Sequence, residues 1–135
     1  MISNPKYGWC EFDLGDFHGH PSYITNVATD LLEACYNYVF GKSNYIYVRF
    51  DEEGSYFILL ADCCGCYIIE QKDEDTLHSI GIDIKDLIRE IVRDIESDID
   101  AWAEFGMFDN DLEIEVNKKW MINRIKKIKE KEWAE

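Results

Sequence analysis

The most regular part of the sequence is the stretch IDIKDLIREIVRDIESDIDAWAEF, which runs from residue 82 to residue 105. Apolar side chains recur in it at steps of three and four, which places them on one side of a helix with 3.6 residues per turn. They are Ile84, Leu87, Ile88, Ile91, Ile95, Ile99 and Trp102. Asp83 is suited to cap the start of this helix, and Gly106 to form a left-handed cap at its end. We therefore predict one long helix over 82–105 whose apolar side is covered by the rest of the chain.

The remaining sequence is long enough to provide that cover. With 135 residues, 47% of them hydrophobic and 14% aromatic, the composition predicts one folded domain over residues 1–135 and excludes a disordered chain. No apolar run approaches the roughly 20 residues that span a bilayer, and residues 1–7 lack the features of a signal peptide. Five cysteines, an odd number, are typical of reduced thiols. We expect a cytoplasmic protein that does not bind membranes.

The first third of the sequence predicts a hairpin followed by a helix. Apolar and polar residues alternate over 7–14, as in a half-buried strand, and Gly15 begins a turn into a second strand over 17–25. The apolar positions over 26–40 then take helical spacing, and Gly41 is suited to end that helix.

The middle of the chain predicts three consecutive antiparallel strands, at 44–50, 55–61 and 66–71. Residues 72–75 have the composition of a charged loop, and residues 76–81 are predicted to connect it to the long helix. Alternation over 110–116 predicts a short strand before a helix over 117–133, although one helix from Asp111 is an alternative that fits the same residues. The predicted fold is an α+β domain with an antiparallel sheet of about five strands and two or three helices packed on it.

The net charge of −14 is the strongest feature of the composition. Residues 117–135 carry seven basic and three acidic side chains, so the acidic surplus lies entirely in residues 1–116. Such a charge opposes binding to nucleic acid and to anionic membranes, and it favours a basic protein partner.

The polar side of the predicted long helix and the acidic segment after it form a candidate partner-binding surface. Aromatic residues near these acids would anchor the partner, because aromatic side chains dominate the energies of interfaces; Trp102, Phe105, Phe108 and Trp9 are the candidates. The residues predicted to contact a partner are Asp94, Asp98, Trp102, Glu104, Asp109, Asp111 and Glu113.

A metal site is a separate possibility. Cys63 and Cys66 have the spacing of one zinc-ligand pair, but no second pair follows in the sequence. His18 and His20 project from one side of a predicted strand and could complete a site with these cysteines. The alternative is that the thiols lie at a tight turn and the histidines on an exposed edge. No known catalytic motif is present, and we expect a protein without enzymatic activity, cofactor or bound metal.

The first 35 residues resemble small bacterial proteins that are encoded near polymorphic toxin genes. The matching residues are Gly8-Trp9-Cys10-Glu11-Phe12, Leu14-Gly15, Phe17, Gly19, Ser22-Tyr23-Ile24-Thr25 and Asp30-Leu31-Leu32. The resemblance implies an immunity protein that binds and blocks a toxin in the cytoplasm, and it assigns no residue to contact with the toxin.

Three other functions are compatible with the sequence. The acids could imitate phosphates, so that the protein inhibits DNA-binding proteins. The cysteines and histidines could form a metal-binding or enzymatic site. Exposed tryptophan and tyrosine residues could instead join two copies of the chain in a homodimer.

Overall fold

The computed structural model describes residues 1–133, and this part of the chain contains seven strands and four helices. The strands are β1 (Ile2–Lys6), β2 (Trp9–Leu14), β3 (Phe17–Gly19), β4 (Ile46–Asp51), β5 (Tyr56–Asp62), β6 (Gly65–Gln71) and β7 (Asp75–Ile80). The helices are α1 (Val27–Val39), α2 (Ile84–Ser97), α3 (Ile99–Glu104) and α4 (Asp111–Glu132). The predicted α+β class is confirmed. The strands divide between two antiparallel sheets, β1-β2-β3 and β4-β5-β6-β7, where the sequence predicted one sheet.

The three-stranded sheet contains the predicted hairpin. β2 buries Cys10, Phe12 and Leu14, the apolar residues whose alternation predicted it. Gly15, with φ of 58°, begins the turn into β3. β3 ends at Gly19 and is therefore shorter than the predicted strand over 17–25. β1 is a strand that the sequence did not predict, because its residues ISNPK do not alternate between apolar and polar and include a proline.

The four-stranded sheet is a meander in which each strand pairs with the next. β4, β5 and β6 match the three predicted strands to within two residues. β7 is an error in the prediction, since residues 75–80 pair with β6 along their whole length, from Asp75 opposite Gln71 to Ile80 opposite Cys66. The charges of the preceding turn made this segment resemble a loop.

The two sheets meet through phenylalanine side chains. The ring of Phe12 lies 5.1 Å from that of Phe50 and 4.9 Å from that of Phe57, and Phe17 is also 4.9 Å from Phe57. Helices α1 and α2 complete the same core with buried residues such as Leu31 and Leu87, which are fully buried. One continuous core therefore lies between the inner faces of the sheets and the helices.

The predicted long helix is interrupted at one residue. Asp98 has φ of −143° and ψ of 50°, which ends α2 and allows α3 to begin at the next residue. Ile95 before the break and Trp102 after it are both buried, so the apolar stripe continues although the helix does not. Asp83 caps α2 as predicted, since its side chain accepts a hydrogen bond from the Asp86 N–H at 2.9 Å.

Gly106 does not have the left-handed backbone that the sequence predicted. Its role is steric, because a Cβ atom at this position would lie 2.6 Å from Oδ1 of Asn26 and 2.8 Å from the ring of Phe108. The glycine therefore allows the chain after α3 to approach the start of α1.

Residues 111–132 form one helix, so the predicted strand over 110–116 is wrong and the alternative is correct. Leu112 and Val116, whose alternation suggested a strand, are 72% and 60% exposed. The helix is held against α1 and α3 by Asn117, whose amide donates to the carbonyl of Ala103 at 3.1 Å and accepts from the hydroxyl of Thr29 at 3.2 Å.

The C-terminal end of α4 lies beside the C-terminal end of α1. Burial raises the pKa of Tyr38 in α1, and the negative charges of Cys63, Glu132 and Asp62 raise it further. Nζ of Lys131 in α4 lies 5.9 Å from the centre of the Phe40 ring, so the ends of α1 and α4 lie together on the side where α1 leads into β4. Both lie at the end of the four-stranded sheet that is remote from the β4–β5 and β6–β7 turns.

Candidate functional site

Two of the seven predicted partner-binding residues have structural roles instead. Asp94 accepts hydrogen bonds from the Met1 ammonium at 2.7 Å and from the backbone N–H of Ile2 at 3.2 Å. Trp102 is 1% exposed and its ring packs against Phe105. The expectation that Trp102 anchors a partner from the surface is therefore wrong, because its side chain is part of the core.

The other five predicted residues, Asp98, Glu104, Asp109, Asp111 and Glu113, are exposed. All five lie along the chain from the α2–α3 break to the first turn of α4. Glu113 also accepts a hydrogen bond from the Asp109 N–H at 2.7 Å, which stabilises the start of α4. This segment remains accessible to a partner, although no exposed aromatic anchor from the predicted set lies within it, since Phe105 is 7% exposed and Phe108 is half-buried.

Two lysines of α4 form ion pairs with acidic residues of α2 and α3. Lys118 lies 2.6 Å from Asp100 of α3, and Lys129 lies 2.5 Å from Glu96 of α2. The Lys118 ammonium donates a hydrogen bond to Asp100, and this bond and the negative charge of Asp100 raise the pKa of Lys118. The basic segment predicted from the sequence therefore faces acids of the same chain.

The four cysteine and histidine candidates do not form one site within residues 1–133. Cys63 is exposed in the β5–β6 turn, whereas Cys66 is buried, and burial raises the pKa of its thiol to about 11. His18 and His20 lie at β3, where the acidic residue in ligand range is Glu11 of β2. The cysteines are therefore separate from the histidines, and the mixed site that the sequence allowed is not formed by these residues.

The four-stranded sheet has an apolar face outside the core. On strand β5, Phe57, Leu59 and Ala61 point inward and are buried, while the alternate residues point outward. Except at the end of the strand, these outward residues are also apolar or aromatic. The central residues of this outward side, which we call the open face, are Tyr47, Arg49, Tyr56, Ile58, Leu60, Tyr67, Ile69 and Leu77. The polar residues on the same side, Asp51, Asp62, Gln71, Asp75 and Ser79, lie at or near the ends of the strands. None of the open-face residues belongs to the hydrophobic core or is among the residues that pack against it in the described chain.

The register arranges the open face in rows across the strands. Arg49, Ile58, Ile69 and Leu77 are neighbours in one row. The Arg49 guanidinium lies 3.9 Å from the centre of the Tyr56 ring in the adjacent row, a cation–π distance. Leu77 is 66% exposed. A sheet with one face in water normally alternates apolar and polar residues, so this composition is unusual for a solvated face.

Acidic residues border one end of the open face. The β4–β5 and β6–β7 turns lie at the same end of the meander and together carry the residues that we call the turn acids: Asp51, Glu52, Glu53, Asp73, Glu74 and Asp75. Lys72, the basic residue of these turns, donates a hydrogen bond to Glu70; this bond and the charges of Glu70, Glu52 and Asp73 raise the pKa of Lys72. Burial opposes ionisation of Glu70, but hydrogen bonds from His78 and Lys72 outweigh it and lower the pKa of that carboxyl.

The sequence contained a signal for the open face. Residues 56–61, YFILLA, are apolar at every position, a pattern typical of a strand covered on both faces. In the structure, the core covers only one face of this strand. The same reasoning did not reveal the turn acids as a group, because their proximity depends on strand β7, which the sequence did not predict.

A comparison of the chain with protein-family models, with curated proteins and with solved structures finds no match to any of them. The geometry of the chain itself is therefore the basis for a functional assignment. Among the described residues, no helix has the length and apolar character needed to cross a bilayer.

Proposed function

We propose that this chain is a protein-binding domain that takes a basic partner on the open face, and that it acts without enzymatic activity as a cytoplasmic immunity protein. The observation that carries the proposal is strand β5, whose two faces are both apolar although the core covers one of them. Contiguous exposed apolar surface on a soluble protein marks an interaction site.

The composition of the open face is suited to a protein partner. Tyrosine and arginine are enriched at the energetic centres of interfaces, and this surface combines Arg49 with Tyr47, Tyr56 and Tyr67. Four strands spaced by about 4.8 Å extend over roughly 14 Å, which is the size of an interface centre. Leu77 and Tyr47, the most exposed apolar members at 66% and 53%, lie on the two outer strands and would lose much of their solvent contact.

The turn acids indicate the charge of the partner. Six carboxylates next to an apolar surface favour a protein that presents lysine or arginine around an apolar centre. Acidic rims of this kind increase the rate of association more than the affinity, and salt weakens the effect. This arrangement moves the proposed contact from the predicted helical acids to the sheet.

The immunity role rests on the resemblance of the first 35 residues to proteins encoded beside toxin genes, together with the acidic charge. An immunity protein needs a tight complex and no chemistry of its own. A basic toxin would provide the partner that the open face and its acidic border can bind.

The test is co-expression of the chain with candidate basic toxin domains from its host, followed by binding measurements with the purified pair. We expect the wild-type chain to protect the host and to form a complex whose association slows as salt rises. The informative substitution is Leu77→Lys on the open face, compared with Leu112→Lys on α4. Both leucines are highly exposed, at 66% and 72%, and both changes add the same charge.

Leu77→Lys should weaken the complex at least about tenfold, as expected for an interface residue worth more than about 1.4 kcal/mol, while Leu112→Lys should leave it unchanged. The reverse result would place the partner on the acidic segment near α4. Failure of the wild-type chain to protect or to bind would overturn the immunity role. Capture of many DNA-binding proteins would support imitation of DNA instead.

A further inference from the structure

Two histidines and two carboxylates are collected on the outer side of the three-stranded sheet. The β2–β3 register places Asp13 opposite His18 and Phe12 opposite Gly19, so Glu11 lies opposite His20. Because side chains alternate along a strand, all four polar residues lie on the side away from the buried Phe12. This cluster lies outside the open face, and its interpretation does not depend on the proposed partner.

The donor atoms are close enough to share one ion. One ligand atom from each of Glu11, His18 and His20 lies within 4.8 Å of the others. Nε2 of His18 and Nε2 of His20 are 3.0 Å apart. Two nitrogens bound to one tetrahedral zinc ion at about 2.0–2.1 Å are separated by roughly 3.3 Å, so the imidazoles need to open by a few tenths of an ångström.

Asp13 prepares His18 for this role. Its Oδ1 atom lies 2.5 Å from Nδ1 of His18. A carboxylate can only accept, so Nδ1 carries the proton and Nε2 of a neutral His18 presents its lone pair. Metal-binding histidines are characteristically oriented by a carboxylate on the other ring nitrogen, which also increases the basicity of the ligand.

The other two ligands are also held in place. Glu11 accepts a hydrogen bond at 2.5 Å from the side-chain amide of Asn4, which occupies the left-handed region with φ of 52° where the β1–β2 register shifts. Such irregularities redirect side chains. Glu52 accepts from the backbone N–H of His20 at 2.9 Å, which fixes the chain after β3 and adds a negative charge nearby.

We propose that Glu11, His18 and His20 bind a divalent transition-metal ion of the zinc type, with Asp13 as the positioning residue for His18. Imidazole nitrogens and a carboxylate oxygen are ordinary ligands for zinc, and a site with three protein ligands leaves a position for water. His18 and His20 are exposed, so the ion would exchange with solvent.

The experiment is a calorimetric titration of the full chain with zinc chloride, after treatment with a chelator and without a histidine tag. The exposed thiols are removed by the background changes Cys63→Ser and Cys64→Ser. One zinc ion per chain should bind. His20→Ala and Glu11→Gln should each lower the affinity by about 100-fold or more, and Asp13→Ala by about 10- to 100-fold, the usual effect of losing an outer partner.

His78→Ala is the matched control, because the chain has three histidines and this one lies on β7, where it contacts Glu70. It should leave zinc affinity unchanged. The proposal is overturned if zinc does not saturate a single site, if His78→Ala weakens binding as much as His20→Ala, or if Asp13→Ala has no effect. Thermal unfolding of each variant separates loss of the ligand from loss of the fold, and Glu11→Gln provides a second ligand change that keeps the size of the side chain.

Discussion

Gly19 shows how one residue determines the contact between the two sheets. A Cβ atom at this position would lie 2.6 Å and 3.0 Å from ring atoms of Phe57 and 3.2 Å from the ring of Phe17. Side chains in cores are packed as densely as in crystals, and these two rings already touch each other. The glycine therefore lets β3 lie against the four-stranded sheet, with the proposed zinc ligands His18 and His20 on either side of it.

We expect Gly19→Ala to lower the free energy of unfolding by about 1–3 kcal/mol, the usual cost of overpacking a core. Gly81→Ala is the control, since its Cβ atom would meet nothing within 4 Å and its φ is not positive. That change should be neutral or stabilise the protein by up to about 1 kcal/mol, because alanine restricts the unfolded chain. Urea unfolding measures both, and equal effects of the two substitutions would contradict the steric argument.

Helix α4 shows how a local cap can decide between two secondary structures. Its sequence alternates like a strand over residues 112–116, yet the side chain of Asn110 accepts a hydrogen bond from the N–H of Glu113 at 2.9 Å. This bond satisfies one of the donors that a helix leaves free at its start. The cap and the contacts of Asn117 with α1 and α3 favour the helix, while the alternating residues remain in solvent.

Asn110→Ala should therefore destabilise the protein by about 1 kcal/mol, the usual value of a side-chain cap. Asn110→Asp keeps the acceptor oxygen and should stay within about 0.5 kcal/mol of the wild type. Chemical unfolding followed by circular dichroism gives both values. A loss of equal size in the two variants would show that the acceptor oxygen of residue 110 does not stabilise the helix.

The sequence predicted those strands and helices in which the spacing of the apolar residues matches the spacing of the buried positions. Cys10, Phe12 and Leu14 identified β2. The fully apolar run at 56–61 identified β5. The break at Asp98 could not be predicted, because Ile95 and Trp102 keep helical spacing across it. The division into two sheets depends on long-range contacts such as Phe12 with Phe50, which alternation does not encode.

The sequence is sufficient to predict one of the candidate sites but not the other. A two-residue turn at Gly15-Asp16 implies that residue 13 faces residue 18 and residue 11 faces residue 20, so the histidine–carboxylate cluster could have been derived from the predicted hairpin. The grouping of the turn acids could not, because it requires β7. The prediction that Trp102 is exposed was wrong because its helical spacing fits two positions equally well. The sequence does not distinguish a buried residue that ends the apolar stripe from an exposed residue beside that stripe.

At the scale of the whole molecule, the net charge of −14 acts against folding by self-repulsion. We expect the free energy of unfolding to rise by on the order of 1 kcal/mol between 20 mM and 500 mM sodium chloride, the scale of a few exposed charge pairs. Urea unfolding at the two salt concentrations is the measurement. Lys129→Gln, which removes the contact with Glu96 and makes the net charge more negative by one, should respond to salt more strongly.

A decrease in stability with salt would instead show that ion pairs such as Lys118 with Asp100 outweigh the general repulsion. The two possibilities give opposite slopes.

The placement of α4 has a consequence for how the molecule moves before any contact is made. Its residues 118–131 hold seven of the fourteen basic side chains and end beside Phe40, close to the start of β4, while the turn acids lie at the other end of the sheet. Separated charges of opposite sign experience a torque in an external field. Lys118, Arg124 and Lys129 are paired with acids of the chain, so the other four basic side chains of α4 carry this separation. A positively charged surface would repel them and attract the turn acids, which favours collisions in which the turn acids meet that surface first.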